Sequence, residues 1–406
     1  IIGSATSRIL ILISMILVAR VLGQTSFGEF GLIQSTLGVA GLMAGMGLGG
    51  TATRFVAQYT VSEPVRAGKV IALVTSTSMA TIALVSLILI SFSSAIASKF
   101  LNAPHLWDSL IWGTCLMAAT ALRGLQNGVF AGFEKFDLLA KLNVVEGLVA
   151  LLTMVILARF YGVNGTILGL SLGALTALLL GHFLLSKELS YRGIKIKLAG
   201  CWEDRQILTQ FSLPSFLANL VATPVLWYAM TLVAKLDHGY EELGLYNAAY
   251  QWHGPMVFIP MILMSVSIPI LVQEWEAKRT KQVRKIMLLL CSVTFGVSLP
   301  FVITISFSSH FIMDLYGPTF TDGWLILVLL IITAPIHALA KLGQAALLGM
   351  NQAWRVLGLN VIWAIILLAF TIYLVPSIGA LGLATAFLSA YCALSLLSLS
   401  LVFFST

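Results

Sequence analysis

The tetrapeptide LVAR at 17–20 returns as LVAK at 232–235, 215 positions later. Beyond it, Gly132 and Asn143 recur as Gly349 and Asn360, both 217 positions on, and Gly165 recurs as Gly379, 214 on. Anchors this widely spaced, with so nearly constant an offset, mean two homologous halves of about 200 residues each.

The composition says where such halves live. Of 406 residues 59% are hydrophobic and only 10% charged, with a mean hydropathy of +0.99. A soluble protein of this length has no interior large enough for that much apolar surface. Stretches long enough to cross a bilayer as helices recur from end to end. Twelve are expected, near 1–21, 27–58, 68–93, 107–131, 138–159, 163–186, 207–234, 243–271, 285–308, 323–349, 354–375 and 378–404. The first lacks a basic leader and a cleavage site and matches the seventh, so it reads as part of the fold rather than a signal peptide. The longest polar stretch, 187–206, falls at the midpoint. The expected class is an all-α polytopic membrane protein of about 12 transmembrane helices in two pseudo-symmetric six-helix lobes. Residues 1–190 form the first lobe, 191–206 a cytoplasmic linker and 207–406 the second lobe. Duplication in so apolar a chain points to a transporter whose bundles rock about a shared path.

The net charge of +7 acquires meaning from its placement. With alternating loops and a cytoplasmic N-terminus, inside loops hold fifteen of the 23 basic residues: Arg66, Lys69, Lys135, Lys141, Lys187, Arg192, Lys195, Lys197, Arg205, Lys278, Arg279, Lys281, Arg284, Lys285 and Arg355. The outer ends hold Arg20, Lys99, Arg159 and Lys235. This asymmetry sets both termini in the cytoplasm. The basic balance therefore reflects insertion and attraction to anionic lipid, not nucleic acid. Cys115, Cys201, Cys291 and Cys392 have no metal-ligand spacing and read as small core residues without disulfides.

Four cations remain inside spans: Arg8, Arg54, Arg123 and Lys341. Each costs roughly 2.5–3.5 kcal/mol on insertion scales, so such groups face a wet cavity or a partner. Arg8 lies in the first span, either in a cavity or snorkelling to the interface. Arg54 lies roughly 40 Å along the second span at 1.5 Å per residue, near the inner headgroups. Arg123 and Lys341 sit deep in the fourth and tenth spans, one position apart in the repeat. Of sixteen acids only Glu146, in the fifth span, is intramembrane. It is either a proton or cation relay or the ion-pair partner of Arg123, and its repeat counterpart is Trp363. Glu29 and Glu242 read as carboxylates at helix N-termini. The cationic excess suggests an anionic ligand. Amides nearby, among them Gln126, Asn143, Asn219, Asn247, Gln344 and Asn360, suit hydroxyl-rich ligands or act as interhelical glue. Pro214 and Pro224 interrupt the seventh span, and Gly254, Pro255, Pro260 and Pro269 the eighth.

Several chemistries are excluded. GLMAGMGLGG at 41–50 follows no strand and reads as small residues for close packing inside a helix, not a dinucleotide loop. There is no P-loop, no defensible catalytic constellation, and six scattered histidines without metal spacing. No enzyme, cofactor or metal is expected.

SRILILISMILVARVLGQTSFGEFGL at 7–32, followed by GLGGTATRFVAQY at 47–59, resembles the polysaccharide-repeat flippases. These are the O-antigen, Wzx-type branch of the multidrug/oligosaccharidyl-lipid/polysaccharide exporter superfamily. LQNGVFAGFEKF at 125–136 and PSIGALGLA at 376–384 also fit. The resemblance implies a V-shaped pair of six-helix lobes with a central cavity. It implies alternating-access movement of undecaprenyl-diphosphate-linked oligosaccharide from the inner to the outer leaflet of the bacterial inner membrane, for O-antigen or other surface polysaccharide. Polysaccharide polymerase or ligase membrane proteins would be partners. In the lipid II flippase branch the first of two arginines twelve positions apart lines the cavity, and here that position is Arg8.

On this reading Arg8, Arg123 and Lys341, with Arg54 as a further candidate, neutralise a diphosphate, and Glu146 couples a proton or sodium. Moving two negative charges outward through about 100 mV releases roughly 4.6 kcal/mol, so the membrane potential helps export. The rival reading is a multidrug and toxin extrusion antiporter for organic cations, whose cavity favours acids. A non-transporting scaffold is a second rival.

Overall fold

The computed structural model describes residues 2–405, and within them the side chains other than those at 2–5, 215, 218–219, 259 and 262–268. Asn219 therefore lies outside the described residues. Among the described residues all regular structure is helical. In chain order the helices are α1 (Ile2–Leu22), α2 (Gln24–Gly45), α3 (Leu48–Ser62), α4 (Pro64–Lys99), α5 (Trp107–Gly132), α6 (Phe136–Tyr191), α7 (Leu213–Asn219), α8 (Ala222–Ala234), α9 (Gly239–Glu276), α10 (Thr280–Phe307), α11 (Ser309–Asp314), α12 (Trp324–Gly349) and α13 (Ala353–Ser405). Among the described residues six helical stretches are by themselves long and apolar enough to cross a membrane.

Two of those six are hairpins. α6 reverses at Gly162 (φ 54°, ψ −129°) and α13 at Gly379 (φ 55°, ψ −134°). Only glycine occupies this backbone region without a Cβ clash. The arms then run antiparallel: Thr153 Oγ1 donates to the Gly169 carbonyl at 2.9 Å, and the Trp363 and Tyr391 rings lie 5.5 Å apart. Small residues let the arms touch, since a Cβ on Gly165 would meet the Leu157 carbonyl and one on Gly382 the Leu374 backbone. With both hairpins counted as two passes, and α2–α3 and α7–α8 as one each, twelve helical passes result, as expected.

The corner glycines also correct the register of the repeat. Gly162, not Gly165, matches Gly379, and Gly165 matches Gly382; both pairs are 217 apart. α5 and α12, beginning at Trp107 and Trp324, obey the same offset.

Helix breaks fall differently from expectation. GLMAGMGLGG is not inside one helix: Met46 (φ 42°) and Gly47 (φ 68°) end α2 and start α3. Its later glycines do pack closely, Gly49 against Gly124 and Gly128 of α5. The seventh span divides into a π turn at Leu208–Ser212, α7 and α8, with Pro214 and Pro224 each in the first turn of its helix. There a missing N–H costs nothing. α9 instead stays helical through Pro255, Pro260 and Pro269, so these prolines do not break it. Glu29 does not begin its helix; it lies beyond the first turn of α2 and meets His105 Nε2 at 2.7 Å. Glu242 is in the first turn of α9, and its Oε2 accepts from the Ala380 N–H at 2.8 Å, bracing the Gly379 corner.

The chain packs as two compact units: Ile1–Leu22 with Glu29–Trp227, and Gly23–Gly28 with Tyr228–Thr406. Packing and repeat thus part at two places. Residues up to Trp227 join the first unit through Ser212–Thr51 (2.7 Å) and Trp227 Nε1 to Thr36 (2.8 Å). Gly23–Gly28 joins the second: a Cβ on Gly28 would strike the Tyr240 carbonyl, and one on Gly244 the Gln24 carbonyl. That reciprocal contact sets a 216-residue offset between α2 and α9.

The first unit's core centres on Leu48, Val56, Val70, Ile71, Leu125 and Phe130, all almost fully buried. The polar stretch after α6 is strapped onto α4 by Arg66–Asp204 (2.9 Å) and Lys69–Glu203 (2.7 Å), with Cys201 buried beside Ala72 and Leu73. Cys115, expected in the core, is exposed instead, because it lies on the outer face of α5.

Candidate functional site

α2, α3, α4, α5 and the two arms of α6, with Ile11 of α1, line a half-open cavity of about 580 Å³ in the first unit. Its wall is mostly apolar or glycine. α2 offers Gln34, Gly38 and Gly41, α5 offers Leu116, Thr120 and Gly124, and α6 offers Glu146, Ala150, Leu170 and Ala174. The α2–α3 break borders the chamber, and Gly45 and Gly50 on either side of it face open space. Glu146 is the one charged residue in this lining.

Arg123 lies behind Glu146 rather than in the wall. Its Nη2 approaches Glu146 Oε2 at 3.5 Å and Asn143 Oδ1 at 3.3 Å, long for charge-assisted contacts. Among the described residues Nε and Nη1 are buried without a partner, as is Gln126 Oε1, while Gln126 Nε2 donates to the Leu178 carbonyl at 3.1 Å. Arg123 is only 3% exposed, so this is a buried cation with one loose counter-ion and unused donors. The ion-pair reading of Glu146 is thus present in the geometry, and the carboxylate is at the same time open to the chamber.

The other sequence candidates stand apart. Arg8 is exposed on α1, next to Ser7, which is buried. Arg54 is exposed on α3, its guanidinium 4.7 Å from the Phe211 ring and 5.5 Å from that of Phe55. Lys341 is half-buried on α12 of the second unit. None of Arg8, Arg54 or Arg123 lines the first unit's chamber. Lys341 has no carboxylate within ion-pair reach among the described residues.

The second unit holds a constellation that sequence reasoning missed. His253 of α9 and His337 of α12 meet at 3.1 Å, with their rings nearly parallel. Around them cluster Tyr246, Tyr250, Phe387, Tyr391 and Trp363, ring to ring at 4.1–5.9 Å, some stacked and most tilted or edge-on. Lys341 stands one helical turn beyond His337, on the same face of α12. Below it Gln344 Nε2 donates to Asn360 Oδ1 at 2.6 Å. The signal available in sequence was the four-residue spacing of His337 and Lys341; nothing marked His253 as their neighbour.

Comparison with known proteins places this architecture. The profile of a family described as Polysaccharide biosynthesis protein matches residues 1–275. The EPS I polysaccharide export inner membrane protein EpsE of Ralstonia solanacearum is 24% identical over 198 residues, 48% of this chain and 45% of that protein. The chain thus spans about half the length of the curated relatives it matches. An inward-facing multidrug resistance MATE family transporter of the MOP superfamily shares the fold with a TM-score of 0.81 at 15% identity, over 98% of this chain and 94% of that one. Lipid II flippase MurJ, in an inward closed conformation, gives 0.77 at 16% identity over 99% and 86%. A MOP superfamily transporter from Pyrococcus furiosus, described as having a binding pocket of reversed polarity, gives 0.67 at 15% identity over 99% and 95%.

Proposed function

This chain belongs to the polysaccharide biosynthesis protein family, and we propose that it is a flippase for a lipid-diphosphate-linked oligosaccharide. The cargo moves from the cytoplasmic to the outer leaflet of a bacterial inner membrane by alternating access, with both termini in the cytoplasm. The moving bodies are the helices of 1–190 and those of 207–406, tied by 191–206. Undecaprenyl diphosphate as the carrier, a role in O-antigen synthesis, and polymerase or ligase neighbours are further parts of this proposal.

The observation that carries it is Lys341. A half-buried ammonium in a membrane helix with no acid beside it needs a counter-ion, and a diphosphate headgroup supplies one. On the first unit Arg8 and Arg54 add exposed positive charge that favours an anionic cargo, and Arg123, buried behind Glu146, contributes to that charge from within. The amides Asn143 and Asn360 suit sugar hydroxyls. No bond is made or broken. To test this, delete the gene from its host and follow lipid-linked sugar on the inner leaflet. Wild-type protein restores surface glycan, whereas Lys341→Gln at equal expression leaves it depleted. Full restoration by Lys341→Gln removes the assignment.

One observation favours the rival. The first unit's chamber is lined by Glu146 and by no base, the polarity an organic-cation exporter needs. Cation export predicts drug resistance on overexpression that Glu146→Gln abolishes, with surface glycan unaffected.

A further inference from the structure

The histidine pair supports a reading that the transport proposal does not require. His253 Nδ1 lies 3.0 Å from the Leu330 carbonyl oxygen. A carbonyl oxygen only accepts, so that nitrogen carries a proton. In the neutral pair His253 Nε2 must then accept, and His337 Nδ1, 3.1 Å away, must donate. Both rings are thereby held as Nδ1–H tautomers in one directed chain from His337 through His253 to Leu330. The lone pair of His337 Nε2 is left over, with no hydrogen bond to any described residue. It belongs to the more accessible ring, for His337 is half-buried and His253 only 3% exposed.

We propose that the His253–His337 pair is a binding site for one proton, which enters at His337 Nε2. A proton there leaves both existing hydrogen bonds intact. A second would have to go to His253 Nε2, setting two N–H groups against each other and parting α9 from α12. The pair therefore takes one proton while these helices stay joined. The titratable or charged groups facing it are Tyr246 and Tyr250 from α9, Tyr391 from α13 and Lys341 from α12 itself. α10, which also packs on α12, buries Val283, Met287, Leu290, Thr294 and Ser298, none of which titrates. Like charges one turn apart repel, so an anion held by Lys341 and a proton on His337 favour each other, and by linkage reciprocally. That last step alone rests on the proposed transport reading.

The test is nitrogen NMR of 15N-histidine-labelled full chain in lipid nanodiscs, titrated from about pH 8 to about pH 5 across the ordinary histidine range. At the upper end two rings show the Nδ1–H tautomer, and on acidification one of them becomes doubly protonated. His337→Asn keeps an amide donor facing His253 but has no second nitrogen. It loses that transition while the His253 Nδ1–H signature persists, which reports a folded protein. A His337 ring that stays neutral throughout, an Nε2–H tautomer at either position, or an unchanged transition in His337→Asn overturns the proposal. At fixed pH, inorganic pyrophosphate raises the protonated fraction in wild type and not in Lys341→Gln. Titration without that response leaves the proton site standing and removes Lys341 as the anion contact.

Discussion

The two halves use one scaffold in opposite ways. With the 217-residue offset of α5–α6 to α12–α13, and the 216-residue offset of α2 to α9, the walls of the first unit's chamber map onto the second unit's aromatic stack. Thr120 becomes His337, Glu146 becomes Trp363, Leu170 becomes Phe387 and Ala174 becomes Tyr391. On the second helix Gln34 becomes Tyr250 and Leu37 becomes His253. Five of these six replacements are larger, and the sixth, histidine for Leu37, brings polar nitrogens rather than bulk. Where the first unit keeps a void with a carboxylate in its wall, the second fills the same place with stacked rings and a histidine chain. A duplicated helical frame thus carries either a chamber or a cluster of rings at matching positions, while Gly162 and Gly379 turn the same corner in both halves.

The comparison can be broken most severely by exchanging wall residues. Trp363→Glu copies the first unit into the second. It puts a carboxylate at a position only 3% exposed and removes a large ring from the stack. The expected cost is about 3–5 kcal/mol, read as loss of monodisperse protein in detergent or a much lower Tm. A well-folded variant would mean that the rings around Trp363 are not closely packed. The corners come next. Gly162→Ala and Gly379→Ala each force a side chain into a glycine-only conformation, at about 1–3 kcal/mol. Gly379→Ala is the worse, because its Cβ also falls 2.6 Å from the Glu242 carboxylate whereas Gly162 faces open space. Equal Tm losses would contradict the asymmetric bracing. Ala174→Tyr copies the second unit into the first and fills the chamber with the ring that Tyr391 supplies. Stability is expected to hold, while translocation falls at least about tenfold, or 1.4 kcal/mol, if cargo or coupling ion uses the void. Unchanged rates would make the chamber a packing defect. The smallest effect belongs to Arg54→Gln, which removes an exposed cation–π contact worth about 0.5–1 kcal/mol and leaves the folded state otherwise untouched in a melt.

Much of this was legible from residues alone, for physical reasons. Twelve apolar passes and the duplication follow from hydrophobicity, which tertiary context does not override in a membrane chain. The Arg123–Glu146 pair was legible because both lie mid-span, where charges seek each other. The register of the repeat was not: GVNG at 162–165 and GALG at 379–382 each offer two glycines three apart, and only backbone angles show which turns the corner. Likewise GLMAGMGLGG offers glycines for packing and for a break, and the structure uses both. The prolines of α9 misled because neighbouring helices sustain a helix that proline alone would weaken. The histidine pair was invisible, since 84 residues separate rings that only the packing of α9 on α12 brings together.

The measurement that bears most directly on the account is translocation in reconstituted vesicles. Purified protein is incorporated with a polyprenyl-diphosphate oligosaccharide, a membrane potential is imposed with an ionophore, and appearance of the glycan on the opposite leaflet is read by lectin or glycosidase access. The account predicts translocation that speeds up when the destination side is made positive and that collapses in Lys341→Gln. Translocation indifferent to both the potential and Lys341, or none above protein-free vesicles, contradicts it.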